Sequence, residues 1–248
     1  MTCAIMQPTF NPWLGYFDMM DQSDVFVIYD DVQLSKQSWQ VRNRIKAANG
    51  ELFLSIPYIK NDNWRNLLIN EAATNESLPW RKKHLKSIDN SYRKAPFFEE
   101  TFSFITNVYK LEFNTISLFN TNFIKGVAEK IGIKTKIINS SDIPVIEGTK
   151  DMRLANMCKY LGATTYLSPQ GSADYIEEIS PGGELVKSNI EVFYHNYKHP
   201  EYLQINGEFI SFMGILDLLF NVGFKASLAV ISSGRQEPIH YKNFNKTH

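Results

Sequence analysis

The chain has 248 residues, 44% of them hydrophobic and 21% charged, and its 26 basic and 26 acidic side chains leave no net charge. That composition suits one globular domain with an ordinary core, and it supplies no long-range field to draw in nucleic acid or an anionic membrane. Two cysteines make no disulfide framework, no stretch approaches the ~20 apolar residues of a membrane helix, and no basic region followed by an apolar run opens the chain, so a cytoplasmic protein is expected.

Residues 3 to 6 read as a short buried strand. A Gln7-Pro8 turn leads to Asn11-Pro12, an N-cap followed by a residue suited to the first helical turn. Leu14, Phe17 and Met20 recur at helical spacing and predict a helix over 12–21. Val25 to Tyr29 is a β-branched and aromatic run, a second buried strand. Strand, helix and strand in so short a span imply a parallel pair with a right-handed crossover. A hairpin is predicted over 40–57, turning at Asn49-Gly50. On its first arm Val41 and Ile45 face one side and Arg42, Arg44 and Lys46 the other. Residues 60–79 are a polar connection with a candidate short strand at Leu67 to Ile69.

The middle of the chain is helical. A basic helix spans Trp80 to Tyr92, a second follows Pro96 over about 97–111, and a third covers about 115–131 and ends at Gly132. Residues 133–138 alternate lysine with apolar side chains and read as an edge strand. A helix over 149–161 buries Leu154, Ala155, Cys158 and Leu161, and a strand follows at 164–167. A turn at 168–172 precedes a short helix at 173–178, Gly182-Gly183 marks a surface turn, and 190–194 is a strand. Residues 215–220 form an apolar helix stopped by Asn221-Gly223, and the polar tail from about 230 to 248 is expected to be loosely ordered. The alternation defines an α/β fold. Its core is a Rossmann-like parallel or mixed sheet, with a β-hairpin and a helical subdomain at about 80–131, in one domain over 1–248.

Four constellations carry chemistry. The first strand runs into a turn and a helix N-terminus, where free N–H groups and the helix dipole favour an anion. Gln7 and Asn11 belong to that turn. The segment Phe10 to Tyr16 resembles the phosphate-binding turn of nucleotidyltransferases, with Trp13 and Tyr16 standing where that motif has histidines. Asp30-Asp31 ends the second strand, at the carboxyl end where open parallel sheets bind ligands, and one of the two is expected to face the site as a general base. Arg42, Arg44 and Lys46 form a cationic row able to grip a diphosphate. Gln33, Lys36, Trp39 and Asn43 nearby offer hydrogen bonds and a stacking surface for a base or sugar. The segment from Tyr194 to Gln204 carries His195, His199 and Tyr202 after a strand, and histidine is well poised for proton transfer near neutral pH. His195 and His199 are four apart, but the strand before them and Pro200 after them argue against a zinc-binding helix, so no metal site is expected. Cys3 and Cys158 read as buried thiols. The chain has no Walker loop, no dinucleotide fingerprint and no nucleophile elbow.

These residues resemble the WbqC-like family. The likeness rests on Gln7-Pro8, Pro12-Trp13, Gly15-Tyr16-Phe17, Asp24, Phe26-Val27, Asp30, Val32-Gln33, Trp39 and Arg42-Asn43-Arg44-Ile45. It continues through Leu161-Gly162-Ala163, Tyr166-Leu167-Ser168, Tyr175, Tyr197, His199-Pro200, Tyr202 and the run from Ile215 to Asn221 with Gly223, covering about residues 4–223. The resemblance implies a setting in bacterial surface-polysaccharide synthesis, above all O-antigen, and transfer of a glycyl or other acyl group to an amino sugar.

Together these readings lead to a transferase taking a nucleotide-linked amino sugar as acceptor. The donor is expected to be a thioester on coenzyme A or an acyl carrier protein, with no tightly bound cofactor. Arg42, Arg44 and Lys46 would hold the diphosphate. Trp13, Tyr16 or Trp39 would stack on the base or sugar, and Asp30, Asp31 or His199 would take the amine proton. Two alternatives remain open at this point: an ATP-dependent nucleotidyltransferase or adenylate-forming ligase, and a non-catalytic module whose basic helix docks carrier proteins or polysaccharide enzymes.

Overall fold

The computed structural model describes residues 1–35, 38–60, 66–144 and 146–244. Its centre is a six-stranded sheet ordered β5-β2-β1-β6-β7-β8, parallel except for the short β8 at one edge. The strands are β1 (Thr2–Met6), β2 (Val25–Ile28), β5 (Lys136–Asn139), β6 (Thr165–Ser168), β7 (Glu191–Tyr194) and β8 (Ile239–His240). Strands β3 (Arg42–Ala47) and β4 (Gly50–Ser55) form a separate antiparallel hairpin. The expected α/β fold with a mostly parallel sheet and a hairpin is thus observed, and β1 and β2 pair in parallel around α1 (Leu14–Asp21).

Alternation along each strand sends side chains to opposite faces. Ala4, Phe26, Ile28 and Leu167 point into the larger core. That core also takes in the hairpin and the helices α2 (Trp80–Tyr92), α3 (Phe98–Lys110), α4 (Ile116–Ile131), α8 (Ile215–Val222) and α9 (Phe224–Ser233). Cys3, Ile5, Val25, Val27 and Val192 point the other way, toward α5 (Lys150–Leu161), α6 (Ala173–Ile176) and α7 (Gly183–Lys187). Both faces of the central strands are covered, as parallel sheets require. The three middle helices share the larger core with the hairpin: Tyr92 of α2 stacks on Phe220 of α8 at 4.4 Å, and Phe10 from the opening turn lies against Phe119 of α4.

Local chemistry differs from expectation in several places. The hairpin turns at Ala48-Asn49, with Ala47 opposite Gly50, and Gly50 takes the positive φ (+105°) while Asn49 does not. A type I′ turn at Asn49-Gly50 would need both positive. The short strand expected at Leu67 to Ile69 is a single antiparallel bridge from Leu68 to Gln33. Gly182 and Gly183, expected at the surface, are buried and start α7. The stretch from about 230 carries the end of α9, β8 and a 3-10 turn over Tyr241–Asn243 rather than loose chain, because Ile231 and Tyr241 are buried in the two cores. No helix among the described residues is long and apolar enough to cross a membrane.

Candidate functional site

Sheet order determines where a cleft can open. From β1 the chain moves outward to β2 and β5, then crosses back to lay β6 and β7 on the other side of β1. Connections from β1 and β6 therefore diverge, and their carboxyl ends leave a crevice. A two-lobed cavity occupies it. Met6 at the end of β1, Trp13 and Tyr16 line both lobes. The first lobe, about 360 Å³, is completed by Thr9, Trp39, Asn43, Arg44 and Phe212. The second, about 290 Å³, is completed by Gly15, Met19, the Pro169-Gln170-Gly171 turn after β6, and His195 and Tyr197 after β7. Two lobes of this size suit a small molecule.

The opening turn shapes the wall between them. Trp13 packs edge-on against Tyr197 at 5.4 Å and tilts against Phe212 at 5.8 Å. Its indole lies directly on Gly15, where a Cβ would come within 2.2 Å of the ring, so only glycine admits the indole in this position. Helix α1 begins after Trp13 without a side-chain cap, and Gly15 in its first turn faces the second lobe, so the positive end of the helix opens on the cavity. Asn11 does not cap that helix. It adopts a positive φ of 46°, accepts from the Leu216 amide at the start of α8, and donates to the Arg44 carbonyl. Asn43 is likewise buried and bonds the carbonyls of Phe10 and Asn11, so these two side chains fix the opening turn against the hairpin, and Asn43 lines the first lobe.

Arg44 is the cation of the first lobe. Its guanidinium pairs with Glu51 at 2.7 Å and donates to the Phe212 carbonyl at 3.3 Å. Phe212 is half exposed at the mouth and sits at φ +57°, an uncommon backbone state for an aromatic residue. The other two cations of the row leave the site. Arg42 lies over the Phe53 ring at 5.1 Å. Lys46 is fully buried, and its ammonium bonds the Gln204 side chain and the carbonyls of Gly207 and Glu208. The row does share one strand face, but the 204–208 segment closes over its inner end.

The second lobe holds a proton-handling group. Asp18 of α1 is fully buried, and its Oδ2 accepts from His195 Nε2 at 2.7 Å and from Gln22 at 2.6 Å. Its Oδ1 accepts from Arg235 Nε at 2.8 Å, and Arg235 reaches Asp21 at 2.6 Å with another nitrogen. A carboxylate only accepts, so His195 carries a proton on Nε2; no described residue bonds Nδ1, which is an acceptor whenever the ring is neutral. The ring stacks on Tyr197 at 5.6 Å, and its backbone is held by Ser168 and Gln170.

The remaining expected residues stand elsewhere. Asp30 is buried and accepts from Ser117, Asn139, Ser140 and both the amide and hydroxyl of Ser141. Asp31 accepts from Ser140 and pairs with Arg153 at 2.5 Å. Both end β2, which lies on the side of β1 away from β6, so neither faces the cleft; they tie β2 to α4 and to the start of α5. His199 donates from Nδ1 to the Pro200 carbonyl and sits behind Phe212 at 5.0 Å rather than in either lobe; burial lowers its pKa. Tyr202 donates to Asp217 inside the core, Gln7 pairs with Gln40, and Gln33 bridges Leu68, none of them lining the cavity. Tyr16 lines both lobes but turns its hydroxyl to the Gln7 carbonyl. Lys36 lies outside the described residues. Cys3 and Cys158 are buried and unbridged, and the neighbouring Cys158 thiol and burial hold Cys3 well above the ordinary thiol range. Among the described residues no group of three or more His, Cys, Asp or Glu side chains is arranged to hold a metal ion.

Sequence reading missed Asp18, Phe212 and Arg235. Asp18 did leave a signal: it is the charged residue amid the buried apolar run LGYFDMM of α1. Arg235 left none, because its partner lies 217 residues away.

Fold and cavity define an α/β protein with a two-lobed candidate ligand cleft at the switch point of its sheet. The chain belongs to the WbqC-like protein family, whose profile matches residues 7–228. It is similar to the uncharacterized protein Rv1507c of Mycobacterium tuberculosis, at 33% identity over 225 residues, 90% of this chain and 94% of that one. No solved structure matches it.

Proposed function

We propose that this protein transfers an acyl or aminoacyl group from a thioester to the amine of a nucleotide-linked amino sugar, in bacterial O-antigen or other surface-polysaccharide synthesis. The observation that carries the reading is His195 lining the second lobe, with Nε2 fixed on Asp18 and no described residue bonded to Nδ1. The amine attacks the thioester carbonyl, forming the C–N bond. His195 Nδ1 takes the proton the nitrogen loses and returns it to the departing thiolate as the C–S bond breaks. The N-terminus of α1 offers its dipole to the negative charge developing on the carbonyl oxygen. Arg44 binds an anionic group of the nucleotide, and the aromatic walls of the first lobe take its base or sugar. The donor is a thioester of coenzyme A or an acyl carrier protein.

Purified protein is to be incubated with acyl and aminoacyl thioesters and a panel of nucleotide-linked amino sugars. Thiol release and the mass of the N-acylated product are the readouts. His195→Gln is expected to lower turnover about 10²- to 10⁴-fold with nucleotide binding retained. Equal turnover in the variant, or no thiol release across the panel, rejects the reaction. Nucleotide activation is the second reading, favoured by the uncapped start of α1 beside the cleft. Pyrophosphate or AMP formed from ATP and magnesium in the same assay would select it.

A further inference from the structure

We infer that Arg235 is a positioning residue for His195, acting through Asp18, and that the turn after α9 is therefore part of the site. The inference rests on the reading of His195 as proton acceptor, and it reaches beyond the family match, which ends at residue 228.

Asp18 is fully buried and faces His195 at hydrogen-bond distance. A buried carboxylate on its own would favour the doubly protonated ring, because the opposite charge stabilises imidazolium. That ring would carry a proton on Nδ1 and could accept none. Arg235 supplies a counter-charge, which Asp18 shares with the partly solvated Asp21. Its guanidinium spans Asp18 Oδ1 and Asp21 Oδ2 from two nitrogens, while Oδ2 of Asp18 keeps the His195 hydrogen bond. The carboxylate can then orient the imidazole without having to be neutralised by it. Asp18 also accepts from Gln22, which is uncharged, and the ring stacks on the face of Tyr197.

Backbone geometry shows how a residue so late in the chain reaches α1. Residues 234–236 run antiparallel to 196–198, the segment that directly continues from His195. The Lys198 amide bonds the Gly234 carbonyl at 2.9 Å, the Gln236 amide bonds the Asn196 carbonyl at 3.1 Å, and Tyr197 bridges Arg235. One pairing therefore delivers both the imidazole and the guanidinium to Asp18. The approach is close: a Cβ on Gly234 would come within 2.4 Å of the Lys198 carbonyl oxygen and 2.8 Å of the Tyr197 ring. The chain thus has a glycine where the pairing needs one, next to the arginine that the pairing positions.

The test reads the ring itself. In the full-length protein labelled with nitrogen-15, the imidazole nitrogens of His195 are followed by NMR across a pH series without substrate. Wild type is expected to show Nε2 protonated and Nδ1 free at pH 8. Arg235→Gln is expected to raise the imidazolium fraction at that pH roughly threefold or more, as loss of a cation beside the partner carboxylate requires. Arg235→Lys, which keeps the charge, is expected to restore most of the wild-type state. A purely structural arginine would lower the melting temperature of R235Q and leave the ring's protonation unmoved, and that result overturns the inference. So does a wild-type ring protonated on Nδ1. If R235Q does not fold, Asp21→Asn decides: it leaves the guanidinium to Asp18 alone and should lower the imidazolium fraction at the pH where the wild-type ring is half protonated, and an unchanged ring at that pH overturns the inference. Because no substrate is present, absence of acyl transfer would reject the reaction and leave this result standing. An unresponsive ring would do the converse.

Discussion

Arg44 holds its place with partners that a ligand can replace. Its salt bridge to Glu51 is partly exposed, with about a third of the glutamate side chain in solvent, and its second bond goes to a carbonyl at the cavity mouth. An exposed pair of this kind is worth at most about 1 kcal/mol. A phosphate in the first lobe would meet the guanidinium with more charge than Glu51 does, and Glu51 would compete with it for Arg44 from outside the lobe. Glu51→Gln should therefore raise affinity for a sugar nucleotide by up to roughly fivefold, the equivalent of about 1 kcal/mol. Arg44→Ala should lower it by about 1–3 kcal/mol. Calorimetric titration of both variants checks the pair, and opposite signs are the signature.

Among the elements, α2 depends on one imidazole. His84 is buried between the hairpin and α3: Nε2 donates to the Ser55 carbonyl at 3.0 Å, and Nδ1 accepts from the Tyr109 hydroxyl at 3.1 Å. Both nitrogens are occupied in the neutral ring, and burial brings its pKa down to about 4. The unfolded chain binds that proton near 6.5, so between the two values the unfolded state holds more protons than the folded one. The stabilising effect of the neutral ring is complete above about pH 6.5 and is lost as pH falls toward 4, by about 3 kcal/mol in all. Denaturant unfolding at pH 7 and pH 4.5 should show this slope, and His84→Gln should flatten it relative to wild type. The same helix illustrates what was legible locally. Its span, its basic character and its neighbours α3 and α4 follow from 3.6-residue periodicity and from Pro96 and Gly132. The fate of its charges does not: Arg81 is spent on Glu76 and on the carbonyls of Tyr109, Leu111 and Phe113, while Lys82, Lys83 and Lys86 remain in solvent.

For the whole molecule, ligand binding and folding are linked, since a ligand at 100 times its dissociation constant adds about 2.7 kcal/mol to the native state. A thermal-shift screen over sugar nucleotides, thioesters and ATP should raise the melting temperature with ligands of the first lobe, and Trp39→Ala should diminish that rise. The convergence of the opening turn with the Arg44 arm was readable, because each lies within one local motif and the two are close in sequence. The misplacement of Asp30 and Asp31 has a topological cause. Being at the carboxyl end of a strand was correct, but which flank of β1 bears the cleft depends on where β6 joins the sheet, well over a hundred residues later. Lys46 and Asp18 likewise acquire partners from beyond residue 190, and no spacing within their own segments announces them.

Trp13, with Met6 and Tyr16, belongs to both lobes. An occupant of either side that tilts the indole alters the volume offered to the other. Thermodynamic reciprocity then makes the coupling identical from either direction: the factor by which donor changes acceptor affinity equals the factor by which acceptor changes donor affinity. Indole fluorescence would report both events, and Gly15, by admitting the ring at all, is the residue on which that communication depends.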